Sequence, residues 1–413
     1  MNGAIINSCC GAEHGLISVD EALHLIRQHA APLNKLSIPL VDALGHYLAE
    51  DIYSSIDLPL FSQSAVDGYA ICYEQPLDTS TQFTLIGEIK AGQMSAQVLQ
   101  PGEAVRIFTG APIPKNTTSV ARQEIVKVNN NLLYLTQPLK NHADIRNQGE
   151  EIAIGQLIAQ KNQRLHAGAI ASLSMAGVKH VAVYPHPKVA AVITGDEVAD
   201  STENVDSGKI FDANTPLLTA WFQQQNKKVD TFFAKDDEQE VHQLLKHLSQ
   251  HYDVIITTGG VSVGDYDFIR PVALNIGFSE VFWKVKQKPG KPLFFAHYQR
   301  EDGSTCYLLG LPGNPASVYV GLHIYADRLL KSLQGSPAGT EWFTGVMSDH
   351  IKPDLRERFL RMSASFEQGT LKLSSLPKQQ SHMLSNLMHA NCLVRIPENK
   401  TIQEGEILQG IFI

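Results

Sequence analysis

Residues 253–268 read DVIITTGGVSVGDYDF. Val254-Ile255-Ile256 is a short β-branched run suited to a buried parallel strand. Thr257-Thr258-Gly259-Gly260 breaks it, and two adjacent glycines let the backbone take positive φ and turn its N–H groups toward an anion. Ser262 adds a hydroxyl, Gly264 a second flexible point, and Asp265 and Asp267 two carboxylates. Anion donors beside hard-cation ligands are what an Mg²⁺-phosphate site requires. Taken alone, the same letters also describe a glycine-rich surface turn.

Working outward, strands alternate with helices from Val181 to Leu333. Val189 to Ile193 reads as a strand ending in Thr194-Gly195-Asp196-Glu197. Asn214 is placed to cap a helix from Thr215 to Gln225. Lys228 to Phe233 reads as strand, Glu238 to His251 as helix, Pro271 to Ile276 as helix and Glu280 to Gln287 as strand. Leu293 to Ala296 and Tyr307 to Gly310 are further strands, and a helix follows from about Ala316 to Leu330. This alternation implies a mostly parallel sheet with right-handed crossovers. Ligands of such sheets lie beyond the carboxyl ends of the strands. TGDE, TTGG, KPGKP and LPGNP all follow apolar strands, so four chemically loaded loops fall on one rim.

The expected fold is therefore multidomain, α/β plus β. An α/β domain spans 181–333 and, after Gly335-Ser336-Pro337 as a hinge, an all-β domain spans 335–413. A small inserted β-domain occupies 55–149, its strand-like text running from Phe83 to Leu139 with Gln123-Glu124 on a strand. An elongated connecting region takes 17–54 and 150–180. There LSIPLVDALGHYLAEDIYSSIDLPLF reads as an extended connection rather than a core. Ser18 and Glu21 form a capping box that starts a helix through about His29, available to pack on the α/β domain.

At 413 residues the chain needs roughly two to four domains. Its 43% hydrophobic and 18% charged content is that of an ordinary globular protein. No apolar run approaches the roughly 20 residues of a spanning helix. The start of the chain lacks the basic and apolar segments of a secretory signal. Five scattered cysteines, Cys9-Cys10 an incidental pair among them, fit a reducing cytosol. A net charge of −8 argues against nucleic acid, though local lysines can still attract small anions.

Such lysines are present at 284, 286, 288 and 291. Lys286 reads as a solvated charge, whereas a Pro-Gly turn aims Lys288 and Lys291 at the rim. Ammonium groups there suit phosphate or a tetrahedral oxyanion. The carboxylates of Asp57, Glu197, Asp236, Asp265 and Asp267 suit Mg²⁺. The Asp57 to Ala70 stretch is dense in polar groups, with Asp67-Gly68 as a tight turn, and Thr109 can present its hydroxyl from Thr109-Gly110-Ala111-Pro112. No Walker lysine follows TTGG, which disfavours an ordinary P-loop ATPase.

With these residues assembled, the chain resembles the MoeA family of molybdopterin molybdenumtransferases, relatives of the E domain of gephyrin and its plant counterpart. The resemblance rests on DLPLFSQSAVDGYA, FTGAPIP, RNQGEE, TGDE, IFDAN, TTGGVSVGDYDF, KPGKPLFF, GLPGNPAS and SNLMHANCLVRIP, in family order. TTGG by itself would also admit the adenylylating MogA relatives. The resemblance implies insertion of molybdate into adenylyl-molybdopterin with release of AMP, using Mg²⁺ or Zn²⁺. It also implies a homodimer, a cytoplasmic location and a MogA-like adenylyltransferase upstream. Carried over residue by residue, Asp57, Thr109, Glu197, Asp236 and Asp267 match active-site positions, with Asp57, Glu197 and Asp267 as metal ligands. Asp212, Gly259, Gly260, Ser262, Lys284, Lys288, Lys291 and Ser317 match substrate-binding positions, and Pro312 and Pro315 shape the adjacent loop. Departures fall at Glu151, Asn116 to Val120 and Ser381-His382.

Overall fold

The computed structural model describes residues 15–413 apart from 75–76, 78–79, 94–95, 197, 200–208, 263 and 265–266. The calls on Glu197, Asp265 and Cys9-Cys10 lie outside the described residues. The chain divides into two compact units, one of residues 1–36 with 184–413, the other of residues 37–183.

In the larger unit a six-stranded sheet runs Asp230–Ala234, Val189–Thr194, Val254–Thr258, Thr305–Leu311, Phe294–Gln299, Ser279–Trp283. The first four strands are parallel. Phe294–Gln299 runs antiparallel to both its neighbours, so the sheet is mostly parallel, as read. Register then decides where the loops emerge. Ile193 pairs with Thr258 and Thr258 with Leu311, so three strands end level with one another. Phe294 pairs with both Gly310 and Trp283, so residues 284–293 leave and re-enter the sheet on that same rim.

Every residue of Val189–Thr194 and Val254–Thr258 is buried because both faces of the sheet are covered. Alternate residues serve opposite cores, as the two-residue strand period requires. Ala191, Ile193 and Ile256 pack with helix Val19–His29 and the helical run Pro315–Leu333. Ala190, Val192 and Ile255 pack with Glu238–His251 and Ile269–Ile276. The first helix starts as read, with Ser18 Oγ accepting the Glu21 N–H at 3.1 Å, and buries Val19, Ala22 and Ile26.

Residues 343–412 build a separate β-core around Met347, Met362, Leu373 and Val394. Their sheet gains a strand from the α/β domain, since Gln287–Lys288 runs parallel to Glu357–Arg358. Of the stretch read as a hinge, Gly335 and Ser336 are buried and Pro337 is exposed.

In the 37–183 unit a six-stranded sheet spans Gly68 to Leu135. Gln123-Glu124 forms a 3₁₀ turn, Gln123–Ile125, rather than strand. The segment read as an extended connection has a core of its own, in which Leu40, Ala43 and Leu48 bury against Leu165, Leu173, Val181 and Val183. Short elements with irregular periodicity concealed it, because these apolar partners lie more than a hundred residues apart.

Candidate functional site

The glycine turn is built for close approach. Gly259 and Gly260 have φ of 100° and 67°. A Cβ at Gly259 would stand 2.5 Å from Thr194 Oγ1, and one at Gly260 2.6 Å from Ile269 Cγ1. Only glycine meets both demands, of conformation and of space. The chain then exposes Ser262 and Gly264. Asp267 Oδ2 accepts the Gly264 N–H at 2.6 Å, which fixes that carboxylate against the loop.

The lysine loop differs from its reading as strand. The edge strand ends at Trp283 because Lys284 takes a φ of 76°, and pairing resumes only at Gln287–Lys288. Lys284 Nζ lies 4.2 Å from the centroid of the Trp283 ring, and Lys284 is not among the residues lining the cleft. Lys286 pairs with Glu398 at 2.5 Å. Lys288 and Lys291 flank the Pro289-Gly290 turn, and Lys288 Nζ pairs with Asp354 Oδ2 at 2.8 Å. That bond is the main reason the Asp354 carboxyl is held below its ordinary pKa.

Pro312-Gly313-Asn314 forms the third loop, and Pro315 occupies the first turn of its helix, where a missing N–H costs nothing. Ser317 is buried in that helix beneath the cleft. Asn214 is not the expected cap. Asp212 Oδ1 takes that role by accepting the N–H groups of Asn214 and Thr215 at 2.9 and 3.1 Å. Asn214 Nδ2 is thereby free to donate to the Gly313 carbonyl at 2.9 Å, tying two rim loops together.

These loops enclose a cleft of about 560 Å³. Of the expected residues, Asp236, Gly259, Gly260, Ser262, Asp267, Lys288, Lys291, Pro312 and Ser317 line it. Asp212 and Pro315 lie in its framework rather than in its wall. Asp57 and Thr109 belong to the 37–183 unit. There Asp57 accepts the Ile154 N–H at 3.0 Å and the Gln148 amide at 2.9 Å. Asp67 Oδ1 accepts both the N–H and the hydroxyl of Thr109, at 2.9 and 2.8 Å, and these two bonds lower its carboxyl pKa.

Sequence reasoning missed Arg356, Gln379 and Gln380, which reach the cleft from the C-terminal domain, and placed no role on Ser381. The signal for Arg356 was an arginine heading an apolar strand; its position depends on pairing with residues some seventy places away. A second recess of about 720 Å³ lies at the opposite, amino-terminal ends of the strands, lined by His186, Lys188, Lys228 and Tyr252. It is larger, but it lacks the glycine turn and the paired carboxylates.

Fold and cleft together define the class: an α/β domain with a glycine- and lysine-lined cleft on its carboxyl-terminal rim. Residues 190–332 match the family described as probable molybdopterin binding domain. Residues 17–177 match the MoeA N-terminal region (domain I and II) and residues 344–412 the MoeA C-terminal region (domain IV). The chain belongs to the MoeA family of molybdopterin molybdenumtransferases. It is 32% identical over 389 residues to the molybdopterin molybdenumtransferase of Staphylococcus epidermidis, covering 92% of this chain and 91% of that one. To the enzyme of the same name from Staphylococcus aureus it is 31% identical over 391 residues, with the same coverage. The crystal structure of the molybdopterin biosynthesis MoeA protein from Pyrococcus horikoshii matches with a TM-score of 0.80 at 26% identity, over 96% of this chain and 100% of that one.

Proposed function

We propose that the protein inserts molybdate into adenylyl-molybdopterin, releasing AMP and forming molybdenum cofactor. The observation that carries this reading is the register of the sheet. It brings a glycine turn, two lysines and two carboxylates around one cleft, a set suited to an anion and a hard cation.

The residues divide the work by charge. Lys288, Lys291 and the N–H groups of the turn beyond Gly259, whose own N–H donates to the Leu311 carbonyl at 2.9 Å, hold the phosphoanhydride and an incoming oxyanion. Molybdenum gains bonds to the two dithiolene sulfurs as one molybdate oxygen leaves as water with the two thiol protons. A second water adds to the anhydride, so that AMP leaves with its phosphate and the pterin keeps its own. Preorganised positive groups act best on the charge that develops at the scissile phosphate. Asp57 and Thr109 are proposed as active-site groups in the 37–183 unit.

The donor set fits Mg²⁺. Asp236 and Asp267 supply hard oxygens in the cleft wall, and among the described residues no group of three or more His, Cys, Asp or Glu side chains could hold a metal ion by itself. Mg²⁺ takes one or two carboxylates and keeps its waters. Asp267 would hold the ion, with Glu197 as a further ligand that the resemblance assigns. When bound, the ion neutralises phosphate charge.

A MogA-like adenylyltransferase supplies the substrate in this reading, and the enzyme works as a cytoplasmic homodimer. Among the described residues no helix is long and apolar enough to cross a membrane. Purified protein given adenylyl-molybdopterin, molybdate and Mg²⁺ should release AMP only when molybdate is present. Absence of AMP, or ATP consumption with plain molybdopterin, would overturn the proposal.

A further inference from the structure

Gln287 is 1% exposed, yet it stands between two solvent-facing lysines. Burying an amide is unfavourable unless both of its ends are bonded. Both are. The Nε2–H group donates to the Gly290 carbonyl at 3.1 Å, and Oε1 accepts from the Tyr325 hydroxyl. The orientation follows from chemistry, since a carbonyl can only accept and a phenol can donate.

Each partner is itself constrained. Gly290 has a φ of 85°, and a Cβ there would stand 3.0 Å from Gln287 Nε2, so the turn rests directly on the amide. Tyr325 is fully buried on the π-helical turn Leu322–Ala326, which interrupts the helix below the cleft. Burial pushes its phenol pKa well up and keeps the O–H a donor. The Gln287 carbonyl accepts from Arg356 Nη1 at 3.3 Å. One buried side chain thus ties the Lys288–Lys291 turn to the α/β core, while its backbone meets an arginine of the cleft.

We infer that Gln287, anchored by Tyr325, is the positioning residue that sets where Lys288 and Lys291 present their charges. A methionine would fill the same space, so the amide is there for its two bonds rather than its volume. The inference takes its reaction from the proposed function, but its geometry stands without it.

The test uses the full-length chain carrying Q287M, Y325F or both. Three measurements are made: amide hydrogen exchange without ligand, AMP affinity, and steady-state AMP release from adenylyl-molybdopterin with molybdate. In Q287M, exchange across residues 288–291 should rise about ten-fold, the size of effect of one buried hydrogen bond, while Val254–Thr258 stays protected. KM should rise about ten-fold with kcat within three-fold, the pattern of lost uniform binding. Y325F should show the same changes more weakly, and the double variant should be no worse than Q287M. Unchanged exchange in residues 288–291, or additive losses spread over the whole fold, overturns the inference. Wild-type protein that neither binds AMP nor releases it defeats the functional reading instead, and the exchange result then still decides this one.

Discussion

Lys288 Nζ lies 2.8 Å from Asp354 Oδ2, so a lysine that lines the cleft is already paired to a carboxylate of the C-terminal domain. Asp354 is held there, for its Oδ1 also accepts the Arg356 N–H at 3.2 Å. The lysine side chain remains 52% exposed, and pairs this open contribute about 1 kcal/mol or less. An incoming phosphate therefore competes with a weak partner. Asp354→Asn should raise AMP affinity two- to five-fold, whereas Lys288→Gln should lower it about ten-fold, both by calorimetry at fixed ionic strength. Weakening by both substitutions would show that Asp354 orients the lysine rather than competing for it.

His323 sets a pH limit on stability. Its Nε2 is sealed from water without a hydrogen-bond partner, and its ring packs on Tyr319 and Trp221 at centroid distances of 4.5 and 5.9 Å. Burial lowers its pKa from 6.5 to about 4, with Asp327 opposing. The unfolded chain thus binds a proton before the folded one does. Stability from this group is whole above pH 6.5 and is lost as pH falls toward 4, with an upper bound on the order of 3 kcal/mol. His323→Leu should flatten the dependence of Tm on pH within that window. An unchanged slope would exclude His323 as its source.

Gly259→Ala should damage both fold and cleft. The new Cβ meets Thr194 Oγ1 at 2.5 Å in a left-handed conformation, and a destabilisation of about 2 kcal/mol or more is expected. Gly303→Ala is the control. Its φ is 84° but nothing lies within 4 Å, so it should cost only about 1 kcal/mol and leave AMP binding intact. Equal effects on Tm and on AMP binding would contradict the close-packed reading of the glycine turn.

The rim was legible because its signals are local. Val254-Ile255-Ile256 had to be a buried strand, and Gly259-Gly260 had to leave it in a conformation closed to other residues. The same logic placed Lys288 and Lys291 on a turn, while Pro315, read as part of the preceding loop, opens the helix itself. What escaped was set by distant partners. Asp212 takes the capping role expected of Asn214, whose amide goes instead to the Gly313 carbonyl about a hundred residues away. Arg356 reaches the cleft because the next residues, Glu357 and Arg358, pair with Gln287 and Lys288. Asp67, read as a turn former, proves to be the group that holds Thr109, a tie across forty-two positions.

The central claim is that one cleft, walled by Gly259 to Ser262, Lys288, Lys291 and Ser317, receives the phosphate of an adenylylated pterin. A crystal structure of the full chain grown with saturating AMP, molybdate and Mg²⁺ tests it most directly. The expected result is AMP with its phosphate against Lys288, Lys291 and the glycine turn. AMP fully ordered elsewhere, for instance in the recess beside His186 and Tyr252, with the cleft empty, would contradict it.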